Sequence, residues 1–545
     1  MNRRQLFHQF AAAVTPALRG DSSKPTVAPG WDWDLPAGIK PVPYSGFVTW
    51  AKTRFSELIT VQGVFVNWKL LSPRSGEYDW KPVHEAIENA RKLGMRIGLH
   101  VRGVERPNVP DWVIEKHHAP VLDVVPLQEN QPWRLQIVPP WHPGVREEYK
   151  AFMAAFGKTG IPQMKEVVYG YIHGISPSRG EEWALRAKDI EQWEKTAGLT
   201  PDLLAACLQA RIDLMLLAFH GVEYKLAFMG GRVPIGKGEY AEKTAGLQEY
   251  AFAHGTGWRG GAVDFQHSNF QNGALGTSVT PDGYSVVDEN LPLHKENRYC
   301  GDENEEYGKS WEWRFGPVEG HAYRHRLCTL RSLQVRLNFD MVWPETLQLN
   351  PEVNQYAMLT QGRNAGNSPD AFAYLRECMI RPERGGDPIP VKNIERWLLQ
   401  RDVEGHRSVP CERVDRFKLP MDPPDRHYDF DARRTDIRNG QAGLAFQLAP
   451  NFWQKPGPAL LKVTFVDREK TAWHVEYANA AKTKRSTTAV QNSGDGQRKT
   501  ATFRMDSLSA ARSFPGQMDF RLVTAGPADV TVTMVRIVKD DWKEA

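Results

Sequence analysis

Between residues 31 and 380 short apolar runs rich in β-branched and aromatic residues alternate with longer segments whose apolar positions recur every three to four residues. Strand side chains point to opposite faces in turn, whereas helix side chains three and four apart share one face, so the two periods predict alternating strands and helices. "GVFVNWKLL" (63–71) reads as a strand, and "DWKPVHEAIENARKLG" (79–94) as an amphipathic helix that Gly94 ends. "RIGLHVRG" (96–103) is the next strand, and the helix "GVREEYKAFMAAFGK" precedes the strand "VVYGYIHGI" (167–175). The long helix "PDLLAACLQARIDLMLLAFHG" precedes "EYKLAFMGG" (223–231). "GGAVDFQH" (260–267), "SWEWRFG" (310–316) and "NFDMVWPE" (338–345) bring the strands to seven, with the helix "HAYRHRLCTLRSLQVRL" between the last two. An eighth strand, first in order, falls within 41–51, where "PVPYSGFVTW" stands. Eight parallel strands with interleaved helices predict a (β/α)8 TIM barrel over 31–380, with its active site at the C-terminal ends of the strands.

From about residue 405 the texture changes. "LAFQLA", "ALLKVTFVD", "AWHVEYAN", "RKTATFRM", "MDFRLVT" and "VTVTMVRIV" are short, alternating and separated by Gly, Pro, Asp and Asn, which predicts an all-β sandwich over 405–545. Residues 381–404 read as a linker, "RPERGGDPIP", and a docking helix, "NIERWLLQRD". The first 30 residues read as a tail or export signal: paired arginines, a short Ala-rich run broken by Pro16 and a polar stretch resemble a twin-arginine leader. That resemblance implies a periplasmic or secreted protein; a disordered tail and a cytoplasmic location stay open.

Composition narrows the chemistry. A chain of 545 residues, 41% hydrophobic and 25% charged, is that of a globular protein of two or three domains, not a disordered one. The formal charge of +4 comes from 69 basic and 65 acidic residues without long blocks, which argues against nucleic acid as a partner. No run reaches the roughly 20 apolar residues of a membrane-spanning helix. The five cysteines, Cys207, Cys300, Cys328, Cys378 and Cys411, form no CxxC pair, so neither a zinc site nor a dense disulfide framework is expected. Eighteen tryptophans are a generous supply of flat faces on which sugars can stack.

The candidate chemistry lies just beyond the predicted strands. In "GYIHGISPSRGEEWALR" (170–186), Glu181 and Glu182 follow a strand end, and Glu312 in "SWEWRFG" holds a corresponding place three strands later. Two carboxylates across a barrel mouth are the minimum for cleaving a glycosidic bond: one protonates the leaving oxygen, the other attacks carbon or activates water. Adjacent glutamates that open a helix for dipole reasons are the plainer alternative. Trp183, Trp311 and Trp313 would supply stacking faces. His100 and Arg102 alternate on one strand and so share a face, where an arginine suits a hydroxyl-rich or anionic sugar, or an internal ion pair. His173 lies two residues before a strand end; Asp264, Gln266 and His267 in "VDFQHSNF" are hydrogen-bonding candidates or loop fasteners. Glu345 ends the last predicted strand and is the rival nucleophile, with Trp343 as a stacking platform or core residue.

"NWKLLSPRSGEYDWKPVHEAIENARKLGMRIGLHV", followed by "PDWV", resembles the strand-2 to strand-3 region of barrel glycoside hydrolases of the β-galactosidase kind. Those read as a Trp (here Trp68), a Pro-x-x-Gly-x-Tyr-Asp-Trp/Phe turn, a helix, a Gly-led strand and a Pro-x-Trp. "GISPSRGEE" is similar to the Gly-Pro-x-Gly-Glu stretch of β-amylases, and the broader run resembles barrel proteins encoded beside polysaccharide-degrading enzymes. The resemblance covers about residues 60–345, with 60–112 its specific part. It implies an acid/base at the end of strand 4 and a nucleophile at the end of strand 7, which fall on Glu181 or Glu182 and on Glu312, with Trp68 facing substrate. The clan's Asn-Glu signature is replaced by Gly180-Glu181, so the choice between the neighbouring glutamates stays open. The activity implied is retaining hydrolysis of a β-linked, galactose-containing polysaccharide or oligosaccharide, with no metal or organic cofactor. A carbohydrate-binding protein with a decayed barrel and a polysaccharide lyase using a Tyr/His/Arg set are the alternatives.

Overall fold

The computed structural model describes residues 24–124, 135–175, 185–229, 234–260, 270–380, 389–415 and 428–543. Eight short parallel strands close on themselves: β1 (Gly46–Thr49), β2 (Ile59–Asn67), β3 (Arg96–Arg102), β4 (Val167–Tyr171), β5 (Leu226–Phe228), β6 (Gly257–Arg259), β7 (Cys300–Glu303) and β8 (Phe339–Met341). Each pairs with the next, and β8 returns to β1 with Phe339 opposite Gly46. The chain is therefore a TIM barrel followed by a β-rich region, the fold class that the alternation of periods predicts.

Helices α1 (Lys81–Lys92), α2 (Pro143–Lys158), α3 (Pro201–Ala218) and α4 (His321–Gln334) lie outside the barrel. In α1 the buried residues Val83, Ile87 and Ala90 form one stripe, and Arg91 and Lys92 face the negative end of the helix dipole. In α3 the Thr200 hydroxyl accepts from the Leu203 amide at 3.2 Å, a side-chain N-cap. The strands show the same economy. Ile97, Leu99 and Val101 of β3 join the core under the helices, while Gly98 and His100 face the barrel axis.

Aromatic rings fill that axis: Tyr169, Tyr171, Tyr299 and Phe339 pack with Val48, Val61 and Met341. They fit because glycines face them. A Cβ at Gly98 would lie 1.9 Å from the Tyr169 ring, and one at Gly63 would lie 2.2 Å from Trp50.

Two predicted strands are displaced. β6 precedes "GGAVDFQH", of which residues 261–267 are outside those described. "SWEWRFG" is no strand: Lys309–Trp311 is a 3-10 turn and Glu312–Phe315 a helical turn, while β7 is "CGDE". The aromatics of "SWEWRF" mimic strand alternation, whereas the charges of "CGDENEE" read as loop.

The C-terminal strands form two antiparallel sheets, the larger of which also takes Thr26–Pro29 from the stretch expected to be a tail or export signal (1–30). The larger runs in the order Thr26–Pro29, Arg498–Leu508, Gly457–Val466, Thr531–Lys539, Asp370–Ile380, Tyr428–Arg434 and Val409–Asp415, with Ile389–Arg396 also on Asp370–Ile380. The smaller carries Leu398–Arg401, Gly443–Leu448, Phe520–Thr524, Ala472–Ala478 and Lys484–Ser486. Phe446, Leu461, Phe465, Trp473, Phe503 and Ile537 belong to one core between them. The expected docking helix is thus a pair of strands. Ile394, Trp397 and Leu398 have helical spacing, but Asn393 and Trp397 adopt positive φ (51° and 57°), which a helix cannot hold, and strand pairing on both sides decides the outcome.

Asp370–Ile380 lies between Thr531–Lys539 and Tyr428–Arg434, so the sandwich draws a central strand from before the boundary expected at 405. A fragment of residues 405–543 is expected to lack cooperative unfolding, because it loses that strand, whereas 366–543 should melt as a β protein. Circular dichroism melts of the two fragments check this; a cooperative transition in the shorter one would refute it.

Candidate active site at the barrel mouth

Trp50, directly after β1, stacks on Phe65 of β2 at 4.9 Å and 11°. The Arg102 guanidinium sits 3.8 Å from the Phe65 ring centre. Together they make a wall with aromatic faces on one side of the mouth. His100 lies at its foot, 4.3 Å from Trp50 and 3.7 Å from Tyr171, ring centre to ring centre. Both of its ring nitrogens are buried without a hydrogen-bond partner. Burial first, and then the charges of Arg259 and Arg102, push its pKa well below the usual value, so the imidazole is neutral.

Beyond β4, the Nδ1 atom of His173 is 3.4 Å from a guanidinium nitrogen of Arg211, which reaches in from α3. Arginine can only donate, so Nδ1 accepts and the proton of the neutral ring sits on Nε2. That nitrogen is 3.9 Å from Glu105, which stands just past β3 and also accepts from Asn108 at 3.1 Å. Burial, then Arg211 and Arg102, hold His173 neutral as well.

The acidic side of the mouth is built by β6 and β7. Arg259, 1% exposed, donates to Glu303, to the Gly260 carbonyl at 2.7 Å, and lies 5.0 Å from the Tyr171 ring centre. Tyr299, Gly301 and Glu303 alternate along one face of β7, which carries the Glu303 carboxyl inward above the tyrosines. Two residues later Glu305 is half-buried, and its pKa is pushed up to about 8, by burial first and then by the charge of Glu303, against the opposing influence of Arg259 and a hydrogen bond from Trp343. At neutral pH it therefore carries its proton, beside a carboxylate that has a permanent countercharge.

Behind this face Asp302 and Asp340 stand side by side on β7 and β8, each buried with one oxygen unpartnered. Burial raises Asp302 well above the carboxylate range and raises Asp340 from 3.8 to about 7. Between those two values the native state binds a proton at Asp340 that the unfolded chain releases, so stability falls as pH rises through this window. Asp340→Asn should remove that decline, gaining on the parent from about pH 4 to pH 7 and holding the gain above; paired urea titrations at pH 4 and pH 8 check it, and equal differences at both would refute it.

The sequence candidates fall into three groups. His100, Arg102, His173 and Trp343 are at the mouth, as described. Glu181, Glu182, Trp183, Asp264, Gln266 and His267 lie outside the described residues. The rest are elsewhere. Trp68 is fully buried between Tyr149 and Phe152 of α2, at 5.2 and 5.9 Å, because β2 ends at Asn67 and the chain turns helical there. Glu312 ends no barrel strand; it is exposed and accepts from the Val318 amide at 3.1 Å. Trp311 and Trp313 stack at 6.4 Å, with Trp313 65% exposed. Glu345 is exposed in the first turn of the helix Pro344–Leu349. Sequence reading missed Trp50, Phe65, Glu105, Tyr171, Arg211, Arg259, Glu303 and Glu305. The period-two run Tyr299, Gly301, Glu303 was the available signal for β7.

No family model matches the chain, and no curated protein matches it. Among solved structures it is similar to the catalytic domain of β-amylase from Paenibacillus polymyxa, with 10% identity over 55% of this chain and 91% of that one, at a TM-score of 0.31. It is also similar to a β-galactosidase from the psychrophilic Marinomonas ef1, with 10% identity over 55% of each chain, at a TM-score of 0.30. At that identity and score no residue role, substrate or mechanism passes from either to this chain, and the barrel stands on its own strand pairing.

Proposed function

We propose that this chain is a glycoside hydrolase whose reacting carboxylates gather at the end of β7. The observation that carries the reading is the pair Glu303 and Glu305: one held by Arg259, the other kept protonated, above a floor of tyrosines, at a mouth that also carries the Trp50–Phe65 wall. In this reading Glu305 donates its proton to the glycosidic oxygen, and Glu303 takes the role expected for Glu312, attacking the anomeric carbon or activating water. Glu181 and Glu182 remain the competing donors from strand 4. The β-linked, galactose-containing substrate and the retention of configuration are what the sequence resemblance implies. Release of reducing sugar from galactans and β-galactosides tests the activity, and the anomer first formed, read by nuclear magnetic resonance, tests the stereochemistry.

The pH profile follows from Glu305. Its proton is lost as pH rises through about 8, so kcat/KM should fall on that limb, and Glu305→Gln should abolish the limb along with most of the rate. A profile flat to pH 9.5, roughly one and a half pKa units above that value, would remove Glu305 as donor.

One observation favours a second reading. Neutral His100 with unpartnered nitrogens, against Tyr171 and near Arg102, is a Tyr/His/Arg set of the kind a polysaccharide lyase uses to take a proton beside a carboxylate. An ultraviolet-absorbing unsaturated product would favour it over hydrolysis.

A further inference from the structure

On the outer wall of the barrel a groove runs between α2 and α3, lined by Val145, Arg146, Tyr149, Lys150, Cys207 and Leu214 around Arg211. Arg211 is 4% exposed. Its neighbours are His173 at 3.4 Å, the Gly103 carbonyl at 3.5 Å and the Tyr149 ring centre at 4.6 Å. None of these carries a negative charge, and Glu105 stands on the far side of His173. Among the described residues no carboxylate lies within ion-pair distance of Arg211, nor of Arg146 or Lys150. Two carboxylates stand at the lip, Glu147 and Asp213, both exposed, and Asp213 already accepts from Gln209 at 3.1 Å and Tyr250 at 2.8 Å. A guanidinium taken out of water without a counterion is costly, and a groove that sets two further cations beside it is short of negative charge.

We propose that this groove binds a small organic anion, with its carboxylate head at Arg211 and Arg146 and a short apolar body against Val145, Leu214 and the Tyr149 ring. The apolar lining selects against a bare inorganic anion, and the cations select against a neutral amphiphile. The site is separate from the barrel mouth, but Arg211 bridges them: the same guanidinium holds His173 and the Gly103 carbonyl, so a ligand that draws on it is felt at that imidazole. No bond is made or broken in the groove, and the inference does not depend on what the mouth catalyses.

Calorimetric titration of the full chain with hexanoate, hexanol and inorganic phosphate tests it. Hexanoate should bind, with hexanol and phosphate at least tenfold weaker, and Arg146→Glu with Lys150→Glu should weaken hexanoate at least tenfold while thermal unfolding stays that of the parent. The 15N signals of the His173 ring, assigned with a His173→Asn control, should shift with hexanoate and not with hexanol, which gives a readout should the double variant fail to fold. No binding of hexanoate at about 10 mM, hexanol or phosphate binding as tightly as hexanoate, an unchanged affinity in the double variant, or an unmoved His173 signal at saturation would each overturn the proposal.

Discussion

Glu303→Gln should lower kcat/KM by about a thousandfold or more, while Glu312→Gln leaves it within about twofold. The amide introduced by Glu303→Gln retains an oxygen that can accept from Arg259, so the side chain stays in place and what disappears is the negative charge that the proposed mechanism sets beside the reacting carbon. Arg259 keeps its bond to the Gly260 carbonyl, which limits the loss of stability, although a buried guanidinium without its countercharge should cost some of it. Glu305→Gln completes the pair. If Glu305 is the donor, that variant should lose activity on alkyl glycosides and keep much of it on aryl glycosides, whose acidic leaving groups need no proton. The same comparison with Glu181→Gln and Glu182→Gln assigns the proton: a leaving-group-dependent loss there, and not at Glu305, moves the donor to strand 4. A Glu303→Gln variant with near-parental turnover would defeat the cluster as a catalytic site.

The barrel was legible because its strands and helices differ in period, and the alternation on β3 placed His100 and Arg102 on one face. β7 was not, for a physical reason. Glu303 is tolerated in a buried strand through a partner far along the chain, Arg259, 44 residues away, and Asp302 beside it is buried with one oxygen unpartnered; no local pattern announces either. Burial of a carboxylate looks like a loop until its countercharge is known. The reverse error occurred at "SWEWRFG", where the half-buried Trp311 and the exposed Trp313 alternate with charges across a 3-10 turn and a helical turn and imitate a strand. At 389–401 a helical spacing of apolar residues was overridden by strand partners on two sides. Trp68 shows the limit of reading a residue from a resemblance: its position after β2 is on the rim, but the chain direction there turns the indole outward beneath α2 instead of into the mouth.

That placement makes Trp68 a test of core against site. Trp68→Ala should destabilise the barrel by about 3–5 kcal/mol, the usual cost of emptying a buried aromatic position. The indole is enclosed by Tyr149 edge-on at 74° and Phe152 nearly parallel at 29°, and α2 is held to β2 through this contact. Its N–H is buried without a partner, so Trp68→Phe gives up volume but also removes an unsatisfied donor, and should cost less than half as much as the alanine change. Trp313→Ala, at a ring that is 65% exposed, should leave the unfolding midpoint unchanged. Urea titrations of the three variants, followed by tryptophan fluorescence and by circular dichroism, measure these differences. A Trp68→Ala protein that unfolds like its parent but binds substrate more weakly would mean that the indole faces ligand after all, and that the turn after β2 opens toward the mouth.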